Sequence, residues 1–499
     1  MKKYKKKIIT TNNRITLGLK VHQLRTEQNL SLVELSERTG VSVSYLNEIE
    51  KGKKYPRAEK TAELAKALHT TVAELQSAEL RRNLAPLGEL LRSNFLQEIP
   101  LDLFGIDLLK VIEIIADAPA KVGAFISALV ETARHFALRE ENFYLVAMRA
   151  YQEMHNNYLE DLENAIDSFV SEHKIATQKA VASDVLRVIL EEKYDYSVVE
   201  NGLEAYPSLS HLRAIFIAKQ KKLLLHQQLT DRQKARQYGK ELAFNYLALT
   251  DRPVTSSVGH AATFEQVLNN FRANYFAVGL LVSRHGAVTA LADIFAQKTW
   301  QPEKIQQLLS HYDVSPEILF QRFNVLPKFF GLEKLFFFRL VHNTATNSVV
   351  MDKELHLHRR HQPHANWLHE HYCERWVSFQ LLEKLKQLPP LATSLPLIGI
   401  QRSRYFGTDD EYLCLTVARA EHPPSTLQVS VTVGLLVDDH LKTIIKFWDD
   451  PDIPMVEVNV TCERCPIVGC SERAAPPRIV EEKIRQKAAQ EVLRKLLET

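Results

Sequence analysis

Cys462, Cys465 and Cys470 fall within nine residues, in the run Val460-Thr-Cys-Glu-Arg-Cys-Pro-Ile-Val-Gly-Cys, and the 499-residue chain holds only two further cysteines, Cys373 and Cys414. Two thiolates spaced C-x2-C can share one metal ion or one cluster edge, and a third after four intervening residues can fold back to join them. Three sulfurs are one short of a closed tetrahedral zinc site or a four-iron cluster. The fourth ligand therefore has to come from Cys373 or Cys414. Four thiolates suit zinc and an iron–sulfur cluster alike. Five cysteines in a chain of this length do not make a disulfide framework, and in a reducing compartment they point to metal or redox chemistry.

The surroundings of these residues are those of an ordinary folded protein. An apolar fraction of 45% and a charged fraction of 25% exclude a disordered or fibrous chain. No run of eighteen apolar residues is present, so neither a membrane span nor a signal-peptide core is expected, and the protein is expected to be cytoplasmic. Charge is uneven. Residues 1–60 carry fourteen Lys and Arg against six Glu and no Asp, whereas the net charge of the whole chain is only +3. A basic N-terminal module on a mildly acidic body fits a tethered nucleic-acid reader.

Within that module Ser31 with Glu34 forms a capping-box signature before Leu32 and Leu35, and Gly40 supplies a tight turn. Ser42 opens a further helix with Leu46 and Ile49 on its inner side, Gly52 ends it, and Thr71 with Glu74 opens a last one. Two short helices joined by Gly-Val-Ser make the helix-turn-helix pattern. The stretch Leu30-Ser-x-x-Glu-Leu-Ser through Gly40-Val-Ser to Ile49-Glu-Lys-Gly52 resembles the phage-repressor-like (XRE-type) family. The resemblance implies that the helix from Ser42 to Lys51 enters the major groove of double-stranded DNA. Val43, Ser44, Asn47 and Glu48 are then the base-edge candidates, and Lys51, Lys53 and Lys54 lie along phosphates. The lysines of residues 2–7 are expected to trail as a basic arm.

Farther on, Leu212-Arg-Ala-Ile-Phe-Ile-Ala-Lys-Gln-Lys-Lys-Leu-Leu-Leu reads as a hairpin, followed by helical runs at 231–248 and 263–281. This order, with Phe271-Arg-Ala-Asn-Tyr-Phe-Ala-Val-Gly, resembles the ImmA/IrrE-type metallopeptidase domain. Active members carry H-E-x-x-H on the first helix. Here the matching positions read Lys240-Glu-Leu-Ala-Phe244, and the third-ligand position reads Asn270. Zinc and peptidase activity are therefore not expected, and the domain is read as zincin-like but degenerate.

Beyond Leu335 the chain turns β-rich: 335–341, 412–419 and 427–437 read as strands, 456–460 leads into Cys462, and an amphipathic helix over 478–497, with Ile479, Ile484, Val492 and Leu496 as its apolar side, closes the chain. Phe337-Phe-Arg-Leu-Val, Cys373-Glu-Arg-Trp376, Leu413-Cys-Leu-Thr-Val-Ala-Arg419 and the Cys462–Cys470 run, in that order, resemble bacterial short-chain fatty acyl transcriptional regulators. That resemblance implies a sensor of acyl-CoA carrying a 4Fe-4S cluster, with Cys373 as the fourth ligand beside Cys462, Cys465 and Cys470. Structural Zn2+ is the alternative cofactor, and a redox or iron sensor without acyl-CoA is the alternative function; a peptidase acting on a repressor is a further one. Arg359 and Arg360, within a histidine-rich stretch, are candidate contacts for the CoA phosphates.

The organisation expected is mainly α with an α+β C-terminal half. A basic arm (1–14) precedes a five-helix DNA-binding domain (15–78) and a helical linker or dimerisation region (79–200). The degenerate peptidase-like domain (201–334) and a C-terminal sensor domain bearing the cysteines (335–499) follow. A homodimer on a double-stranded operator, with an acyl-CoA effector, is the expected assembly.

Overall fold

A computed structural model of the protein describes residues 2–77, 140–209, 212–253, 263–357, 370–388, 395–421 and 426–497. Two compact units emerge, Met1–Ala147 with Ala261–Glu265, and Met148–His260 with Gln266–Thr499.

The first unit opens with α1 (Lys2–Glu27), α2 (Leu32–Thr39), α3 (Val43–Glu50), α4 (Ala58–Ala67) and α5 (Val72–Gln76). The caps read from sequence form as expected. Ser31 Oγ accepts the Glu34 N–H at 3.1 Å, and the Glu34 carboxylate accepts the Ser31 N–H at 2.7 Å. Ser42 Oγ accepts the Tyr45 N–H to cap α3 and Thr71 Oγ1 the Glu74 N–H to cap α5, and Gly40 ends α2 at φ +62°. Leu17, Leu35, Val41, Leu46, Ile49 and Leu64 fill the core, each at most 1% exposed. The basic segment 1–14, expected as a trailing arm, is instead continuous with α1, which is helical from Lys2.

Helix α6 (Glu140–Met154) begins in the first unit and ends in the larger one, where α7 (Glu160–Glu172) and α8 (Ser183–Tyr194) precede β1 (Ser197–Val199), β2 (Ala214–Ile217) and β3 (Lys222–Leu225). The hairpin β2–β3 is antiparallel, and β1 joins β3 in parallel. Then come α9 (Asp231–Tyr246), α10 (Phe264–Leu281), α11 (Arg284–Phe295), α12 (Pro302–His311), α13 (Pro316–Gln321) and α14 (Val325–Phe330). No single described helix is long and apolar enough to cross a membrane.

The last third is built on β4 (Leu335–Asn343), β5 (Ser348–His356), β6 (Leu397–Tyr405), β7 (Glu411–Ala420), β8 (Leu427–Leu436) and β9 (Met455–Val458). They form one sheet in the order β5-β4-β8-β7-β6-β9, antiparallel except for the β6–β9 pair. Alternation along each strand gives the sheet two apolar faces. On one face α15 (Val377–Gln387) crosses β6, β7 and β8 over Phe336, Phe338, Tyr412 and Cys414. Gly434 is required there, because a Cβ would stand 2.1 Å from the Phe336 ring. On the other face α12 and α13 pack on β6 and β8. After α16 (Asp439–Ile444) and β9 the cysteine run follows, then α17 (Arg478–Leu497). Expected to be amphipathic, α17 buries none of its residues: Ile484 is 62% and Val492 57% exposed.

Candidate functional site

The helix-turn-helix presents α3 with its outer side free. Val43 and Ser44 are exposed and Asn47 and Glu48 half-buried, whereas Leu46 and Ile49 are fully buried. Lys51 is half-buried, and Lys53 and Lys54 are exposed beyond Gly52, their N–H groups donating to the Glu48 carbonyl at 2.9 and 3.2 Å. All seven residues named for DNA thus sit on one helix and the turn after it. One residue of α3 was not foreseen in its role. Glu50 turns inward and meets Arg25 of α1, at 2.6 and 2.9 Å, and His22 Nδ1 at 2.8 Å. Burial alone would raise the Glu50 carboxyl; the hydrogen bonds from His22 and Arg25 prevail and hold it below its ordinary value. Nothing local in the sequence marks a partner 25 residues upstream. The same junction explains Gly18, where a Cβ would lie 2.3 Å from the Ile49 carbonyl oxygen.

The cysteine site is made by two chain segments stitched together. Tyr372 and Thr461 form an isolated bridge, with Cys462 N–H donating to the His371 carbonyl at 2.8 Å and Cys373 N–H to the Val460 carbonyl at 3.2 Å. Glu463 accepts from the His371 N–H, and Glu370 from the Thr461 hydroxyl and the Arg464 guanidinium. Trp376 Nε1 donates to the Asn459 carbonyl at 3.0 Å, and the Arg473 guanidinium to the carbonyls of Cys462 and Cys465. Cys373, Cys462 and Cys465 are each 5% exposed and lie within electrostatic reach of one another, while Cys470 is half-buried after Gly469. Among the described residues no group of three or more His, Cys, Asp or Glu is gathered closely enough to hold a metal ion. The donors are nonetheless of the right kind. Burial pushes the Cys373 thiol up to about 11 and raises Cys462, and Ala474 N–H already points at the Cys462 sulfur at 3.4 Å. Desolvated thiols of this type are the sort that a metal deprotonates on binding. Cys414 lies on β7, like the other three 5% exposed, its thiol pushed up to about 12 by burial.

A third concentration of charge spans the hairpin, α9, α13 and the sheet. Arg213, Arg236, Arg339, Lys353 and Arg419 lie among Glu317, Glu421 and Asp352, and Lys240, beside Arg236 and Glu241, stands at the edge. Glu317 pairs with Lys353 and, at 3.5 and 3.7 Å, with Arg236 and Arg339; Glu421 pairs with Arg213 at 2.5 Å and Arg339 at 3.1 Å. Glu317 is held well below the usual carboxylate range: burial opposes its charge, but Lys353 and Arg236 outweigh it. Lys353 keeps 39% and Arg213 33% of their side-chain surface open to solvent. At the edge of this cluster lie the positions matched to H-E-x-x-H. Lys240 Nζ donates to Asn270 Oδ1 at 2.9 Å, so the first and third ligand positions are bonded to each other. Glu241 accepts two 2.6 Å bonds from Arg252, which is stacked on Phe244 and Phe216, and a third from the Tyr196 hydroxyl. The glutamate is pinned and faces no imidazole. Arg359, Arg360 and residues 79–139 of the region 79–200 lie outside the described residues.

Residues 21–75 match the helix-turn-helix family, so this part of the chain has the fold of a double-stranded-DNA reader. No curated protein matches the chain. Among solved structures, a Mycobacterium tuberculosis transcriptional regulator is similar, at 19% identity and a TM-score of 0.48, over 67% of this chain and 94% of that chain.

Proposed function

We propose that the protein is a cytoplasmic, DNA-binding transcriptional regulator whose larger unit senses a short-chain acyl-CoA and holds an iron–sulfur cluster. The observation that carries the reading is the helix-turn-helix itself: capped helices, a buried Glu50 anchor, and Val43, Ser44, Asn47 and Glu48 on the open side of α3. Asn can bond adenine bidentately, a Val methyl group can pack on a thymine methyl, and Glu can accept from cytosine. The flanking lysines supply sequence-independent attraction to phosphate.

The partly exposed cluster of cations around Glu317 and Glu421 supports the effector reading. A coenzyme A thioester carries phosphates that need fixed positive charge, and Arg forks suit them. Arg213, Arg339, Lys353 and Arg419 carry such charge, each of them shared with Glu421, Asp352 or Glu317. Cys373, Cys462, Cys465 and Cys470 would hold the cluster, with Cys470 brought in by the turn at Gly469. A metal centre there would tie the 370–376 segment to the 459–473 segment and make that tie sensitive to oxidants. Zinc remains the alternative on donor chemistry alone. Peptidase activity is no part of the proposal, because Lys240, Phe244 and Asn270 offer no zinc site. A homodimer would match a two-fold operator.

The test is a DNA selection from a random pool, followed by anisotropy titrations with and without acyl-CoA. An enriched motif whose affinity changes with the thioester supports the proposal. Binding indifferent to sequence sinks the reader assignment, and a motif indifferent to every acyl-CoA sinks the effector.

A further inference from the structure

Every residue of α17 from Glu481 to Leu497 is exposed, Ile484, Val492, Leu493 and Leu496 included. The helix is rooted at the cysteine segment, where Arg478 lies 4.0 Å from Glu463, and it buries none of its side chains. Helices draw most of their stability from a packed apolar face, and an isolated one is marginal in water. A 20-residue helix with its aliphatic side chains in solvent therefore leaves a surface to be covered.

The order of charges says what covers it. At about 100° per residue, Glu481, Ile484, Val492 and Lys495 all fall within about 40° of Ala488 around the axis and form one strip. Ile484 and Val492 stand four residues either side of Ala488, and Glu481 and Lys495 seven residues either side. Reversed, the strip is its own complement. In two antiparallel copies related by a two-fold axis at Ala488, Ile484 is level with Val492 of the second copy and Glu481 with its Lys495, and each pairing occurs twice. Ala488 at the crossing carries only a Cβ, which lets the axes approach closely. A parallel pair would instead set Glu481 against Glu481 and Lys495 against Lys495. Charges off the strip do not compete for these partners. Arg485 pairs with Glu482 and Arg494 with Glu491 along the helix, at 3.0 and 3.3 Å.

We infer that α17 is a homodimer contact, docking antiparallel through this strip on α17 of a second copy of the chain. The inference rests on the homodimer put forward above and gives it a surface; it needs neither DNA nor an effector.

The experiment is sedimentation equilibrium of full-length wild type, Glu481→Lys, Lys495→Glu, the double variant, Ile484→Asp and Leu493→Asp. All four altered positions are exposed, so no core packing is disturbed. Each single reversal sets two like-charge pairs across the contact and is expected to raise the dimer dissociation constant about tenfold or more. The double variant should dimerise as wild type does. Ile484→Asp should weaken the dimer, and Leu493→Asp, about 140° round the helix from Ala488, should leave it unchanged. Both reversals oppose the helix dipole, so a role confined to one helix makes the double variant the worst of the set. Rescue by the second reversal therefore identifies a second α17 as the partner. A dimer that no variant weakens, or a double variant no better than the single ones, overturns the inference and leaves the homodimer standing. A monomeric wild type overturns both.

Discussion

Glu50 shows how much one side chain decides. It sits on the reading helix, but its carboxylate, 7% exposed, serves Arg25 and His22 of α1 instead of DNA. Removing one partner of a buried pair costs about 3–5 kcal/mol, because the other charge is left uncompensated. Glu50→Gln is therefore expected to open α1 and α3 to amide exchange, read by mass spectrometry of the full chain; unchanged protection would contradict the role. Since the folded Glu50 value is depressed, its contribution is present above the unfolded value of about 4.3 and is lost as pH falls through the folded one. Lys240 has the opposite sign. Burial, and then the Arg236 charge, bring its amine down to about 7, so the unfolded chain binds more protons between about 7 and 10. Stability should rise with pH through that window, by on the order of 2 kcal/mol between pH 7 and 9. Pulse proteolysis should show the rise in wild type and its absence in Lys240→Met. That Lys240, Phe244 and Asn270 are not imidazoles was legible in the sequence. That Lys240 and Asn270 bond each other was not, because thirty residues separate them and only folding sets α10 beside α9.

At the scale of elements, Gly18 makes the sharpest case. In a helix interior Ala is favoured over Gly by about 1 kcal/mol, so propensity alone predicts that Gly18→Ala stabilises α1. The Ile49 and Glu50 carbonyls, 2.3 and 2.8 Å from a built Cβ, predict the reverse. An overpacking cost of roughly 1–3 kcal/mol should prise α1 from the reading helix and weaken DNA binding. A variant that binds DNA as wild type does would show that α1 can shift freely. The elements that could be read beforehand were those with local signals: the capped helices of the first unit, the β2–β3 hairpin, and the alternating runs that became β7 and β8. β5 and β6 were missed, since Asp352, Lys353 and Glu354 or Gln401, Arg402 and Ser403 interrupt their apolar pattern. Those polar residues are explained by long-range partners. Lys353 pairs with Glu317, and Gln401 holds the start of α15 through the Val377 N–H at 3.1 Å. The basic arm was misread for a related reason, as charge density at a terminus does not distinguish a coil from the first turns of a long helix.

For the molecule as a whole, the C-terminal sheet separates two chemistries. Cys373, Cys414 and α15 occupy one face, and the charge cluster around Glu317 the other. Cys373 is the member of the cysteine set on which the account is most exposed, because its place rested on resemblance; the structure sets it against Cys462 and Cys465 and leaves Cys414 enclosed on β7. Anaerobically purified wild type is expected to contain iron and sulfide in matching amounts, about four of each per chain. Cys373→Ala should lose them and Cys414→Ala retain them; one zinc per chain and no sulfide would leave a structural knot with no redox function.

The central claim is that α3 reads sequence. It is tested most directly by selecting DNA from a random pool with the full-length protein and repeating the selection with Asn47→Ala, whose amide makes none of the unit's internal contacts described above. The account predicts one enriched motif for wild type and relaxed preference at a single position of that motif for the variant, worth about 1–3 kcal/mol, with phosphate-driven binding retained. Identical motifs from both proteins, or no motif from either, would contradict it.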